Sequence, residues 1–101
     1  MAKVIFINAK ENVIEERNAN GLTELQGLVS EGKGGLIERV SYMRGLGASC
    51  LVVNEEGLFQ GYDYGFVMDG NRFVGNGFVG TLGKSDTRVT IETVRDRVRF
   101  A

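Results

Sequence analysis

The chain has no histidine, no proline and no tryptophan, and only one cysteine among its 101 residues. Without histidine it lacks the side chain that most often serves as general base and as metal ligand. One thiol and no imidazole leave a zinc centre without a donor set. Cys50 has no partner for an internal disulfide, and the run Cys50-Leu51-Val52-Val53 has the character of strand core rather than of an activated nucleophile. We expect this thiol to be buried and inert, in keeping with a reducing, cytoplasmic setting. No stretch approaches the roughly 20 apolar residues of a membrane span, and the apolar run at 4–7 is shorter than the core of a signal peptide. Twelve basic and thirteen acidic residues sum to a charge of −1, so the totals carry no footprint for a polyanion, and nucleic acid is disfavoured as a partner.

Fifteen glycines are what the chain has in excess, against about seven expected at average usage for this length. They punctuate a sequence with room for one domain, residues 1–101, and one core. Residues 3–8 form a short β-branched and aromatic run that reads as a buried first strand, and the stretch 9–20 that follows is polar and without pattern. Leu22, Leu25, Leu28 and Val29 then recur at helical spacing behind Asn20, which predicts a capped helix over 21–31. Strand character returns at 36–43 and 48–54, separated by the hairpin-like Arg44-Gly45-Leu46-Gly47, so these two are expected to pair antiparallel. Three further short segments of strand character, all interrupted by glycine, are expected at 58–60, 66–68 and 72–79, with turns at 54–57, at Asp69-Gly70-Asn71 and at Gly75-Asn76-Gly77. Thr90 is placed to cap a short C-terminal helix carrying Ile91, Val94 and Val98, against a competing strand reading of 88–91. The expected class is α+β: a mainly antiparallel sheet of about four to six strands with two helices.

Chemistry has few places to reside. Gly80-Thr81-Leu82-Gly83-Lys84-Ser85 shares only the ending of a phosphate-binding loop, so no nucleotide triphosphate fold is implied. Acid–base or hard-metal work would fall to carboxylates. Strand alternation puts Glu38 on the face of Leu36, Val40 and Tyr42, where a carboxylate is costly unless it lies at the rim, meets a ligand or pairs with an arginine such as Arg72. Glu55 and Glu56 are either a solvated turn that blocks edge pairing or a ligand contact. Phe59, Tyr62, Tyr64, Phe66, Phe73 and Phe78 gather the aromatics among glycines, with Tyr62 and Tyr64 the candidates for a stacking surface and the rest for packing.

Read together, Leu25-Gln26-Gly27-Leu28-Val29, Gly34-Gly35-Leu36-Ile37-Glu38-Arg39-Val40, Leu51-Val52-Val53-Asn54-Glu55-Glu56-Gly57-Leu58 and the glycine and asparagine pattern of 70–80 resemble domain of unknown function 3846, an uncharacterised family of phages and mobile elements. The resemblance covers about residues 22–83 and departs from the family's pattern at 60–66. It implies a mobile-element setting and no established activity, and it marks Glu38, Asn54, Glu55, Glu56, Gly57 and Asn76 as family-like polar positions.

The function expected is that of a non-enzymatic binder. By analogy with other small mobile-element proteins, it would counteract a host process such as antiviral defence, sequestering a nucleotide-like signalling molecule or occupying a host protein. Its expected contacts are Glu38, Asn54, Glu55, Glu56, Tyr62, Tyr64, Arg72 and Asn76, with no cofactor and no metal. A homo-oligomer, a dimer first, is expected because a short glycine-rich sheet gains from pairing. The rival expectation is a carboxylate-dependent enzyme using Glu38 with Glu55 or Glu56 around a divalent cation.

Overall fold

The layering follows from the first strand. In β1 (Ala2–Asn8), Val4 and Phe6 face one way and Ile5 and Ile7 the other, and all four are buried. A strand apolar on both faces has to lie in the middle of a sheet with a layer on each side. The computed structural model describes residues 2–30, 37–55, 61–82 and 85–100, and in it β1 is the second strand of a five-stranded antiparallel sheet. Its order is β2 (Val13–Ala19), β1, β7 (Gly77–Gly80), β4 (Cys50–Asn54), β3 (Ile37–Val40). A second, three-stranded antiparallel sheet has the order β6 (Asn71–Val74), β5 (Gly65–Met68), β8 (Val98–Phe100). The two helices are α1 (Leu22–Ser30) and α2 (Ile91–Arg97).

Each face of the large sheet has its own core. Leu25 and Val29 of α1 pack with Val4, Phe6, Val52 and Phe78 on one side. On the other, Ile5, Ile7, Leu51, Val53 and Val79 meet Phe66, Met68 and Phe73 of the small sheet, together with Val94 and Val98. Complete burial of a side chain such as Phe66 or Phe78 contributes roughly 1.5–3 kcal/mol. Close approach of the two sheets depends on Gly77, where a Cβ would stand 2.9 Å from Phe66 Cζ and 3.0 Å from the Val52 carbonyl oxygen.

The chain is therefore α+β with two helices, as expected, but its strands divide between two sheets. β2 lies in the stretch that looked patternless, because only Ile14 and Ala19 of this edge strand are buried and they fall on opposite faces. Its charged residues lie over the sheet instead, Arg17 placing its guanidinium 5.4 Å from the Phe6 ring centre and pairing with Glu15 at 2.8 Å. The run 72–79 is not one strand: the chain turns at Gly75, φ +87°, and passes from the small sheet to the large one. β3 and β4 pair antiparallel as expected, though residues 41–49 make a longer loop than a hairpin turn. The strand expected at 58–60 lies outside the described residues.

Helix ends are satisfied by nearby groups. The Gly21 carbonyl accepts the Leu25 N–H, so Gly21 holds the cap position expected of Asn20, whose own N–H donates to Glu24 Oε2 at 3.0 Å. Thr90 caps α2 by accepting the Thr93 N–H at 3.2 Å. That helix ends at Arg97, one residue short of Val98, which its apolar spacing had included: Val98 is extended and begins β8, opposite Met68. Residues 88–90 form no strand.

Asp69 and Gly70, both at positive φ, form the two-residue connection between β5 and β6, the mirror-image turn whose twist suits a hairpin. Arg97 then clasps the turn. Its Nε and Nη2 donate to the Asp69 carboxylate, its carbonyl accepts the Asp69 N–H, and Nη2 also donates to the Arg44 carbonyl at 2.7 Å. One guanidinium thus joins α2, the small sheet and the 41–49 loop.

Two outcomes follow from these contacts. Gly77→Ala is expected to lower stability by about 1–3 kcal/mol through overpacking, whereas Gly27→Ala, exposed within α1 with open space around it, is expected to raise it by roughly 0.5–1 kcal/mol; chemical denaturation measures both. The Arg97 hydrogen bonds hold the Asp69 carboxyl below its usual range, so the folded state favours the ionised form. The stabilisation is present above the unfolded value of about 3.9 and is lost as pH falls through the lowered folded value. Asp69→Asn keeps the turn preference and removes the charge. It is expected to destabilise modestly at pH 6, by less than about 1 kcal/mol for so exposed a pair, with the difference vanishing near pH 2.

Candidate functional site

The large sheet has two ends, and Glu38, Asn54, Glu55 and Asn76, marked in the sequence, lie at or beside one of them. Antiparallel register sets Asn8 of β1 and Asn54 of β4 beside the start of β7, next to Asn76. Asn76 is buried, and its carboxamide oxygen accepts the N–H groups of Ala9 at 2.8 Å and Lys10 at 3.2 Å, holding the β1–β2 turn. Asn54 is also buried, and Glu55 follows it, exposed. Tyr62 donates its hydroxyl to the Ser30 carbonyl at the end of α1 at 2.8 Å, packs on Gly75 and leans on Tyr64 with ring centres 5.3 Å apart. Both tyrosines are half-buried, and their first visible work is packing and helix capping.

Glu38 shares the face of Val40, as alternation requires, since it stands opposite Val53 on β4. It is nonetheless exposed on an edge strand, and it makes no ion pair or hydrogen bond among the described residues. The costly buried carboxylate is thus replaced by a rim carboxylate, because β3 ends at Val40 and leaves Tyr42 61% exposed outside the sheet. The pairing of Glu38 with Arg72 is not formed; Arg72 is on β6 of the other sheet. Glu56 lies outside the described residues.

The opposite end of the large sheet carries a cavity of about 340 Å³. Its walls are the loop 45–49, the end of β7 at Thr81, and residues 85–93 leading into α2. Gly45 and Gly47, at φ +77° and +62°, let the loop curl back over the sheet, and the Arg97 to Arg44 hydrogen bond ties it down. The segment that faces the loop is stitched to β1: Lys3 N–H donates to Asp86 Oδ1 at 2.7 Å, and Thr87 N–H to the Lys3 carbonyl at 3.0 Å. Behind the cavity, the buried hydroxyls of Ser49 and Thr87 bond at 2.6 Å, joining loop and segment directly.

The lining combines hydroxyls with an apolar floor. Ser49, Thr81, Ser85, Thr90 and Thr93 contribute oxygens, Leu46 and Val89 contribute buried apolar surface, and Arg88 and Asp86 contribute one charge of each sign. Most of these hydroxyls already hold one another or nearby backbone, as Thr81 does with Ser85 and Thr90 with Thr93, so they are held in place while keeping lone pairs for a ligand. The walls at 47–49 and Thr81 are shared with a second hollow of about 390 Å³, which carries Arg39, Met43, Cys50 and Leu82. Among the described residues, no three acidic or thiol side chains group closely enough to hold a metal ion.

Comparisons with protein families, with curated proteins and with solved structures find no match. The cavity is therefore read from its own chemistry. None of the seven described residues among those singled out in the sequence lines it. Its own residues were visible there only in part: Thr90 as a helix cap, 44–47 as a turn, and 80–85 as an incomplete phosphate loop. The usable signal was the recurrence of Ser or Thr at 81, 85, 87, 90 and 93, a density of hydroxyls that a short polar connection does not need.

Cys50 is half-buried at the start of β4, with its thiol 3.7 Å from the Gly80 carbonyl oxygen. Burial pushes its pKa up, against a smaller opposing pull from Arg39. Since the thiolate is the reactive species, native protein is expected to label slowly at neutral pH, with a rate that rises only above the range of an ordinary thiol. Mass-spectrometric alkylation across pH 6–11 checks this; labelling at the rate of the denatured chain at pH 7 contradicts it.

Proposed function

We propose that the protein acts by occupancy, capturing one small nucleotide-like molecule per cavity and releasing it chemically unchanged. The observation that carries this reading is the cavity of about 340 Å³ lined by fixed hydroxyls over an apolar floor. Pockets of this size suit small ligands, and a few oriented polar groups on an apolar base favour molecules with a flat face and several hydrogen-bonding groups. Leu46 and Val89 would take the flat face, Ser49, Thr90 and Thr93 the sugar hydroxyls, and Arg88 a single anionic group. With one arginine against one aspartate among the described residues that line it, the site does not call for a triphosphate. In the mobile-element setting that the resemblance implies, such capture would withdraw a signalling molecule from a host defence, in the cytoplasm. A homodimer built on one of the open edge strands belongs to the same proposal.

The test is titration of isotope-labelled protein with adenosine monophosphate, uridine monophosphate and ribose 5-phosphate, followed by NMR and native mass spectrometry. Saturable shifts are expected at 45–49 and 85–93, with one ligand per subunit and an even subunit count. Ala48→Trp, which fills the wall from an exposed position, is expected to weaken binding at least tenfold without changing the melting temperature. Shifts confined to Asn54, Glu55 and Asn76, or none at all, would refute the assignment. Turnover of the probe, abolished by Glu38→Gln or Glu55→Gln, would make the chain a carboxylate-dependent enzyme.

A further inference from the structure

The small sheet covers the core with one face only. Phe66 and Met68 of β5 point inward, with Phe73 opposite Phe66 and Val98 opposite Met68, so Val67 between them points outward. Register then decides what stands beside Val67. On β6 its partner is Arg72, and on β8 it is Arg99. Residues directly opposite in antiparallel pairs share a face, so the outer surface carries the row Arg72, Val67, Arg99. Both arginines are exposed, and neither makes an ion pair or hydrogen bond among the described residues. The next row, at the turn, is Asp69 with Arg97, already joined to each other. In a chain with a net charge of −1, this face thus carries, among the described residues, two cations without an ion-pair partner around a half-buried aliphatic side chain.

We propose that this outer face is a docking surface for an acidic helix of a partner protein. The spacing selects the occupant. Two strand separations put the Arg72 and Arg99 backbones about 10 Å apart, with the apolar residue midway. A helix advances about 10.5 Å in seven residues, so carboxylates at positions i and i+7 fall on one face at that distance, with i+3 and i+4 between them to meet Val67. An extended segment does not match: its same-face residues recur every ~6.7 Å, and the pair nearest to 10 Å lies on opposite faces. Single-stranded nucleic acid is not favoured, because the row offers no aromatic side chain on which a base could stack. Arginine suits carboxylate, which it can grip with two parallel hydrogen bonds. This surface is separate from the hydroxyl-lined cavity, to which Arg72, Val67 and Arg99 do not contribute.

The probe is a capped alanine-rich helical peptide with Glu at i and i+7 and Leu at i+3 and i+4, titrated into isotope-labelled protein at low salt. Saturable shifts are expected at Val67, Arg72, Val74 and Arg99, with the affinity falling at least tenfold when both glutamates of the peptide become glutamine, and again when salt is raised to 0.5 M. The exposed double change Arg72→Glu and Arg99→Glu is expected to abolish binding while leaving the melting temperature within a few degrees. Arg72→Lys with Arg99→Lys should retain part of it. An unchanged spectrum at millimolar peptide, binding that survives the charge reversal, shifts mapping to another surface, or tighter binding of a single-stranded oligonucleotide on the same residues would each overturn the proposal. Loss of nucleotide binding at the cavity would leave this result untouched.

Discussion

Burial of the large sheet on both faces is the constraint from which the rest of the structure follows. Val4, Phe6, Val52 and Phe78 need one covering layer and Ile5, Ile7, Leu51 and Val79 another. A chain this short has to make both layers from brief elements, one helix on one side and a three-stranded sheet with a helix on the other. Glycine is what allows the layers to close: side chains at Gly77 and Gly80 would collide with Phe66 and Val4, at the two cores in turn. The excess of glycine is in this sense a packing requirement as much as a matter of turns.

Two polar clasps then hold the covering layers in register. The Arg97 guanidinium draws together the β5–β6 turn and the 41–49 loop, while the Ser49 and Thr87 hydroxyls join that loop to the segment running along β1. Exposure limits what the Arg97 to Asp69 pair contributes to stability, whereas the Ser49 to Thr87 bond is buried. Their larger effect is geometric, since they fix the walls of the cavity without filling it. The opposite end of the sheet is treated differently. There Asn76 and Tyr62 are drawn into holding a turn and a helix end, so polar residues serve the fold at one end and surround open space at the other.

Charge shows the same dependence on placement. A balance of −1 says nothing about how the charges are arranged, and here several acids and bases cancel locally: Glu15 with Arg17, Glu16 with Lys3, Asp69 with Arg97. Arg72 and Arg99 are brought to either side of Val67 by strands distant in sequence. No reading of totals anticipates such a pair, because the field at a surface depends on neighbours in space.

Local periodicity and local chemistry were enough to read β1, α1, the β3–β4 pairing, the Asp69-Gly70 turn and the Thr90 cap from the sequence alone, because each is specified by residues within a few positions of one another. β2 escaped, since an edge strand of charged residues has no alternation to detect; the turn at Gly75-Asn76-Gly77 was marked by its glycines, but the passage there from one sheet to the other was not, since it depends on long-range pairing. The candidate site divided along the same line. The polar residues chosen from the sequence, among them Glu38, Asn54 and Asn76, stand at one end of the large sheet, while the cavity stands at the other. Its walls come from 45–49, Thr81 and 85–93, segments that acquire a common purpose only when antiparallel pairing sets the start of β4 beside the end of β7. The sequence by itself determined most of the strands, helices and turns, because those depend on short-range sterics and hydrophobic spacing. Which polar groups face a cavity, and which are consumed in holding the fold, was decided only by the tertiary structure, because that depends on long-range register.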